Sequence, residues 1–141
     1  YGYDEDIDQI KVVTSIIQKL TKTQGFSLDD IVVITCRGAG NSIFSNMDKI
    51  GGVKVRSYTG EYDSDGNQLL TEGDLVFDSV YRFKGKESPA VILVDVNPSD
   101  DKLDVWPRIL YCGMTRATIR LDMVVSENNS ENKELIKYIN Q

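Results

Sequence analysis

The feature that most constrains the fold is a pair of short apolar runs, "IVVITC" at residues 31–36 and "AVILVDV" at residues 90–96. Each run is far too short to span a bilayer and is rich in β-branched residues, so each predicts a strand buried on both faces. Helical patterns alternate with strand patterns along the chain. This alternation favours an α/β fold in which helices sandwich a mostly parallel sheet.

The remaining elements are predicted from periodicity and turn chemistry. A first helix is expected over residues 6–20 and a closing helix over residues 130–140, with Ser130 as its N-cap. A Gly-rich loop and a short helix are expected over residues 38–51, and a hairpin turn at Asp65-Gly66. Further strands are expected at residues 53–58, 74–81 and 118–126, and a helix or two helical pieces around Pro107.

Composition narrows the possible functions. The net charge of −6 argues against a free-standing, high-affinity DNA binder, although it leaves room for a local basic groove. The chain has no histidine, which excludes histidine-based acid–base or metal chemistry. Cys36 and Cys112 lack metal-type spacing, so we expect buried thiols in a reducing cytoplasm and no metal site.

The chain is expected to be one domain over residues 1–141, since this length suits a single core. It opens with Tyr1 and shows no secretion signal or membrane span, so we expect a piece of a longer cytoplasmic protein.

Two stretches place cations beside glycines: "SVYRFKGKES" at residues 79–88 and "ILYCGMTRATIRLDMVV" at residues 109–125. Arginine and lysine next to Gly85 and Gly113 suit a phosphate, because glycine lets the backbone approach a ligand closely. The alternative is that these cations form ordinary surface salt bridges. The chain lacks the G-x-x-x-x-G-K-[ST] phosphate loop, so any nucleotide would be shared with another domain.

In this order and at this spacing, the two stretches resemble the last two helicase motifs of the UvrD/Rep-like superfamily-one DNA helicases. The resemblance extends over about residues 28–126. It implies a RecA-like fold and the second motor domain of an ATP-dependent helicase, without the large accessory insertion of UvrD and Rep. Only a short hairpin around Asp65-Gly66 occupies the place of that insertion.

The resemblance also implies roles for individual residues. Arg116 matches the arginine finger that reaches the γ-phosphate across the cleft between two motor domains. The positions that match the nucleotide-binding turn and the hydroxyl of the last motif are Lys84, Gly85, Glu87 and Thr115. Tyr111 matches the motif's aromatic residue.

A further set is expected to contact single-stranded DNA, with RNA not excluded: Tyr81, Arg37 and Arg82. Tyr81 replaces a histidine of the family pattern, and Ala39 stands where many relatives have an asparagine that follows Arg37.

The expected substrate is ATP with Mg²⁺, held mainly by an N-terminal RecA-like domain that this chain does not contain. We therefore expect the 141 residues alone to be inactive. Asp95, at the end of an apolar strand, is interpreted as a structural acid and not as a metal ligand. The alternative to a motor is a non-catalytic RecA-like binding or regulatory module.

Overall fold

A computed structural model describes residues 1–38, 40–98 and 105–141. Nine strands and three helices lie in these ranges, in the order β1 (Gly2–Tyr3), α1 (Asp6–Lys22), β2 (Ile31–Thr35), β3 (Lys49–Ile50), β4 (Val53–Arg56), β5 (Tyr58–Tyr62), β6 (Gln68–Leu70), β7 (Leu75–Ser79), β8 (Ser88–Val96), α2 (Trp106–Met114), β9 (Ala117–Ser126) and α3 (Ser130–Ile139). Within these ranges, no helix combines the length and the apolar character that crossing a membrane requires.

Seven strands form one sheet in the order β1-β9-β8-β2-β7-β4-β3. Every pairing in it is parallel except β3 with β4, which is antiparallel. The central strands β2 and β8 correspond to the two apolar runs, and residues 90–94 of β8 are fully buried. The predicted α/β fold with a mostly parallel sheet is therefore confirmed.

The sheet separates two hydrophobic cores because neighbouring residues of a strand point to opposite faces. Along β2, Ile31 and Val33 belong to the core that α1 covers. Val32 and Ile34 belong to the other core, which α2 and α3 cover. This arrangement explains why both runs are apolar at every position, and it matches the expected sandwich of helices around the sheet.

The first and last helices agree with the predictions except at one cap. α1 continues two residues beyond the predicted end. The predicted N-cap of the last helix is wrong, because Ser130 is already the first helical residue. Asn129 caps the helix instead, since its side-chain oxygen accepts a hydrogen bond of 2.8 Å from the Asn132 backbone amide.

The predicted short helix within residues 38–51 is also wrong. The described part of this segment forms turns and then β3, which pairs with β4 across Gly51 and Gly52. Both glycines have positive φ angles, 59° and 79°, so they make a hairpin turn and do not end a helix. Phe44 is completely buried and anchors the segment to the α1 side of the sheet.

The expected hairpin at Asp65-Gly66 is confirmed. β5 and β6 pair antiparallel as a separate two-stranded sheet outside the main one. The Asp63 carboxylate accepts hydrogen bonds from the backbone amides of Asp65 at 2.9 Å and Asn67 at 2.8 Å. Gly66 supplies the positive φ of 80° that the turn needs. All residues between β4 and β7 are described, and the β5–β6 hairpin is the only secondary structure among them.

Replacing Ile92 by alanine should cost about 2–5 kcal/mol of unfolding free energy, because the side chain is fully buried at the centre of β8. Urea denaturation followed by circular dichroism measures this change. Ile119→Ala is the matched control, and since 74% of that side chain is exposed, its effect should stay within about 0.5 kcal/mol. Equal losses in the two variants would contradict the burial of β8.

Candidate functional site

Arg116 lies in the short link between α2 and β9, at the end of the sheet where β8 and β9 begin. Its guanidinium donates three hydrogen bonds to neutral oxygens. Nε bonds to the Cys112 carbonyl at 3.0 Å, Nη1 to the Lys86 carbonyl at 3.3 Å and Nη2 to Thr115 Oγ1 at 3.1 Å. No carboxylate forms an ion pair with Arg116 in the described ranges. The guanidinium is therefore oriented while its charge is not neutralised.

The turn that contains Gly85 lies beside this arginine. The Ser88 amide donates to the Arg116 carbonyl at 2.9 Å, which joins the start of β8 to the start of β9. Gly85 has a φ of 84°, and apart from Gly85 and its two chain neighbours, no heavy atom of a described residue lies within 4 Å of the position that a Cβ would take. The backbone of Gly85 is therefore open to close approach by a ligand, and it lies near the residues that surround Arg116.

The structure brings several predicted nucleotide-site residues together at this amino-end rim of the sheet. Glu87 is exposed and directly precedes β8. Thr115 donates to the Tyr111 carbonyl at 2.8 Å and accepts from Arg116, so it helps to fix the guanidinium. Tyr111 itself is 69% exposed. Ligands of parallel sheets generally lie beyond the carboxyl ends of the strands. These residues lie at the opposite end of the sheet, because both stretches lead into the start of a strand, β8 or β9.

The predicted nucleic-acid residues lie at the opposite, carboxyl-end rim. Thr35 and Ser79 are paired in register on β2 and β7, and Arg37 and Tyr81 each follow two residues later. Because β8 covers about 20 Å between Ser88 and Val94, the two rims are separated by roughly that distance. Ala39 lies outside the described residues. The sheet therefore holds two candidate sites, one at each end.

Among the residues that the structure describes, the surface salt-bridge alternative applies to Arg82 but not to Lys84 or Arg116. Arg82 Nε lies 2.7 Å from the Asp78 carboxylate, and its guanidinium carbon is 4.9 Å from the centre of the Tyr58 ring. This cation therefore connects the end of β7 to the β5–β6 hairpin. Its predicted contact with nucleic acid remains a prediction.

The buried carboxylate of Asp95 has hydrogen-bond partners that the sequence did not predict. Asp95 is 0% exposed, and its φ of 58° is the left-handed conformation that non-glycine residues rarely adopt. One of its oxygens accepts from Gln9 Nε2 at 2.9 Å, and the other accepts from the hydroxyls of Thr35 and Ser42 at 2.6 Å each. These bonds confirm the interpretation of Asp95 as a structural acid.

This network also organises the carboxyl-end rim. Thr35 Oγ1 accepts from the Arg37 amide at 3.0 Å, and Ser42 Oγ accepts from the Phe44 amide at 3.2 Å. Asp95 therefore fixes both the backbone that leads into Arg37 and the loop that follows it. Sequence reasoning missed this role because Gln9 lies 86 residues away in the chain.

Burial raises the pKa of two groups near Asp95, and the carboxylate charge raises it further. The pKa of the Cys36 thiol and the pKa of the Tyr3 phenol both lie well above their ordinary values. Both groups consequently stay protonated at neutral pH. The predicted burial of the thiols holds fully for Cys36, whereas Cys112 is half-buried.

Two other residues take the positions that packing dictates. Trp106 belongs to the core on the α2 side, and the next residue, Pro107, occupies the first turn of α2. Arg120 forms a bidentate pair with Asp122, with bonds of 3.0 and 2.8 Å. The hydrogen bonds to that carboxylate raise the pKa of Arg120.

Comparisons with known proteins agree with this architecture. Residues 74–124, from the start of β7 to the last part of β9, match the model of the UvrD-like helicase C-terminal domain. The structure is similar to the crystal structure of the C-terminal domain of a possible DNA helicase from Lactobacillus plantarum WCFS1. The two share 20% sequence identity with a TM-score of 0.58, over 92% of this chain and 73% of that one. No curated protein matches the chain.

A thiol reagent at pH 8 should modify Cys112 in the native protein and leave Cys36 unmodified, because only the thiolate reacts and burial keeps Cys36 protonated. Mass spectrometry after trypsin digestion identifies the labelled residue. In urea both cysteines should react, and the Cys112→Ser variant should show no rapid labelling. Labelling of the two native thiols at equal rates would contradict the burial of Cys36.

Replacing Asp95 by alanine should lower the unfolding free energy by about 3 kcal/mol, since Gln9, Thr35 and Ser42 would lose a buried acceptor. Thermal and urea denaturation measure the loss. Asp29→Ala, at an exposed position, is the matched control and should change stability by less than about 0.5 kcal/mol. An unchanged midpoint for Asp95→Ala would refute the structural role.

Proposed function

Because this chain resembles the UvrD-like helicase C-terminal domain in sequence and fold, we propose that it is the second motor domain of an ATP-dependent DNA helicase or translocase. In this proposal it is joined to an N-terminal RecA-like domain, which carries the phosphate loop that the chain lacks. ATP with Mg²⁺ would bind between the two domains. The chain supplies an arginine finger at one rim of its sheet and a nucleic-acid surface at the other.

The observation that carries the proposal is the environment of Arg116. Three neutral oxygens orient its guanidinium, no described carboxylate pairs with it, and the open Gly85 turn lies beside it. A structural arginine would normally meet a carboxylate, as Arg120 does here. An oriented and unpaired guanidinium next to accessible backbone instead suits a polyphosphate supplied from outside the domain.

The residues of the amino-end rim would have different roles in ATP hydrolysis. Arg116 would stabilise the negative charge that develops on the transferred phosphoryl group, the usual role of an arginine finger. Thr115 and the Lys86 carbonyl hold the guanidinium in place, so little reorganisation is needed when the cleft closes. Gly85 would allow the nucleotide to approach the backbone, and the exposed Glu87 would accept from a ribose hydroxyl.

The opposite rim would hold single-stranded nucleic acid. Tyr81 is 54% exposed, so its ring is available to stack on a base. Arg37 is only weakly engaged, with Asp6 at 4.0 Å, and remains free to meet a phosphate. Arg82 would contribute from beside the hairpin. None of these contacts depends on a 2′-hydroxyl, so the proposal extends to RNA as well as DNA.

A non-catalytic RecA-like module is the alternative, and the net charge of −6 favours it, since an acidic surface suits protein partners. ATP hydrolysis by the intact protein, measured with and without single-stranded DNA, separates the two functions. A motor hydrolyses ATP faster with DNA present, whereas a module does not. The isolated 141-residue domain should be inactive in either case.

In the intact protein, Arg116→Ala should lower kcat for ATP hydrolysis by about 10³- to 10⁵-fold and leave DNA binding unchanged. A coupled ATPase assay and fluorescence anisotropy with a labelled single strand measure the two properties. Arg56→Ala, an exposed arginine on β4, is the matched control and should retain basal hydrolysis. Wild-type turnover in the Arg116 variant would remove the arginine-finger assignment.

A further inference from the structure

We propose that a groove between the turn after β7 and the exposed face of α2 binds single-stranded nucleic acid, with its phosphates on Lys84 and Arg108. This inference rests on the proposed function of the domain as a nucleic-acid motor. It adds Arg108, which no sequence motif identified. It also moves Lys84 from the nucleotide site, where the resemblance put it, to the nucleic-acid surface.

The groove combines an apolar floor with an exposed aromatic side chain. Its volume is about 360 Å³. Val80 and Ile109 form part of the floor and are 3% and 5% exposed, and the half-buried Cys112 extends it. Tyr81 lines the groove with 54% of its surface exposed. An apolar floor beside a free aromatic ring is suited to the flat face of a base, which has no sequence requirement.

Two cations border this floor. Lys84 and Arg108 are exposed, and neither forms an ion pair with any residue that the structure describes. The described lining contains no carboxylate, although acidic residues outnumber basic ones by 22 to 16 in the chain. Two cations beside an apolar floor, among the lining residues that are described, match a ligand that alternates phosphates with bases.

The position of the groove favours a nucleic acid strand over the nucleotide. Arg116 does not line the groove, and its contacts are with Cys112, Lys86 and Thr115 backbone or hydroxyl oxygens on the amino-end rim. Tyr81 instead follows the end of β7, which is paired with the end of β2 that leads into Arg37. A strand that passes Arg37 can therefore continue over Tyr81 into the groove.

The salt dependence of binding tests this assignment in the intact protein. The logarithm of the binding constant for a fluorescein-labelled oligothymidylate is measured against the logarithm of the salt concentration by anisotropy. Each phosphate contact removed from a single strand lowers the magnitude of this slope by about 0.7. Lys84→Gln and Arg108→Gln should each show that decrease, and the double variant about twice as much.

Matched variants exclude general effects on charge or folding. Lys133→Gln removes an exposed cation from α3, away from the groove, and should leave the slope unchanged. Tyr81→Ala should weaken binding by about 5- to 100-fold with an unchanged slope, because it removes stacking and not charge. Circular dichroism spectra that match the wild type show that each variant is folded.

The outcomes separate this inference from the proposed function. If the wild-type protein shows DNA-stimulated ATP hydrolysis but the double variant keeps the wild-type slope, the groove assignment is overturned and the motor function stands. A higher KM for ATP in Lys84→Gln, with the slope unchanged, returns Lys84 to the nucleotide site. If the wild-type protein neither binds the strand nor hydrolyses ATP, the proposed function fails first.

Discussion

The burial of β2 and β8 on both faces is the constraint on which the rest of the structure depends. Their side chains contribute to both hydrophobic cores, so helices must cover the sheet on each side. A parallel sheet of this kind needs connections that return each strand to the same starting edge. Loops are consequently gathered at two opposite rims. The candidate functional residues lie in those loops, except Arg108 and Tyr111, which lie on α2.

The two rims are built differently. At the amino-end rim, short links enter β8 and β9, and the Arg116 guanidinium is held by the carbonyls of Cys112 on α2 and of Lys86 in the link before β8. At the carboxyl-end rim, a buried acid with a strained backbone ties three separate elements together through Gln9, Thr35 and Ser42. One rim thus carries an oriented guanidinium, and at the other a buried acid fixes the loop that leads out of β2.

The fold was predictable from sequence where burial alone decides the pattern. Continuous apolar runs rich in β-branched residues identified β2 and β8, and the Asp-Gly pair identified the hairpin turn. The prediction failed between residues 40 and 50, where Ile43, Phe44 and Met47 imitate helical spacing but the glycine and asparagine residues favour turns. The last helix cap was missed by one residue because Asn129 and Ser130 are both good caps and only the geometry of the turn selects one.

The sites were predictable only in part, because motifs name residues but not their neighbours. The resemblance pointed to Arg116 and Gly85, yet the Lys86 carbonyl that orients the guanidinium comes from a loop 30 residues away in the chain. The hydrogen-bond partners of Asp95 are also distant in the chain. Arg108 and Lys84 likewise line one groove only because the fold brings them together. The β5–β6 hairpin has another consequence. It is a separate sheet with an exposed tip at residues 63–66, so it offers an attachment point where a dye or a whole inserted module could be carried without disturbing either core.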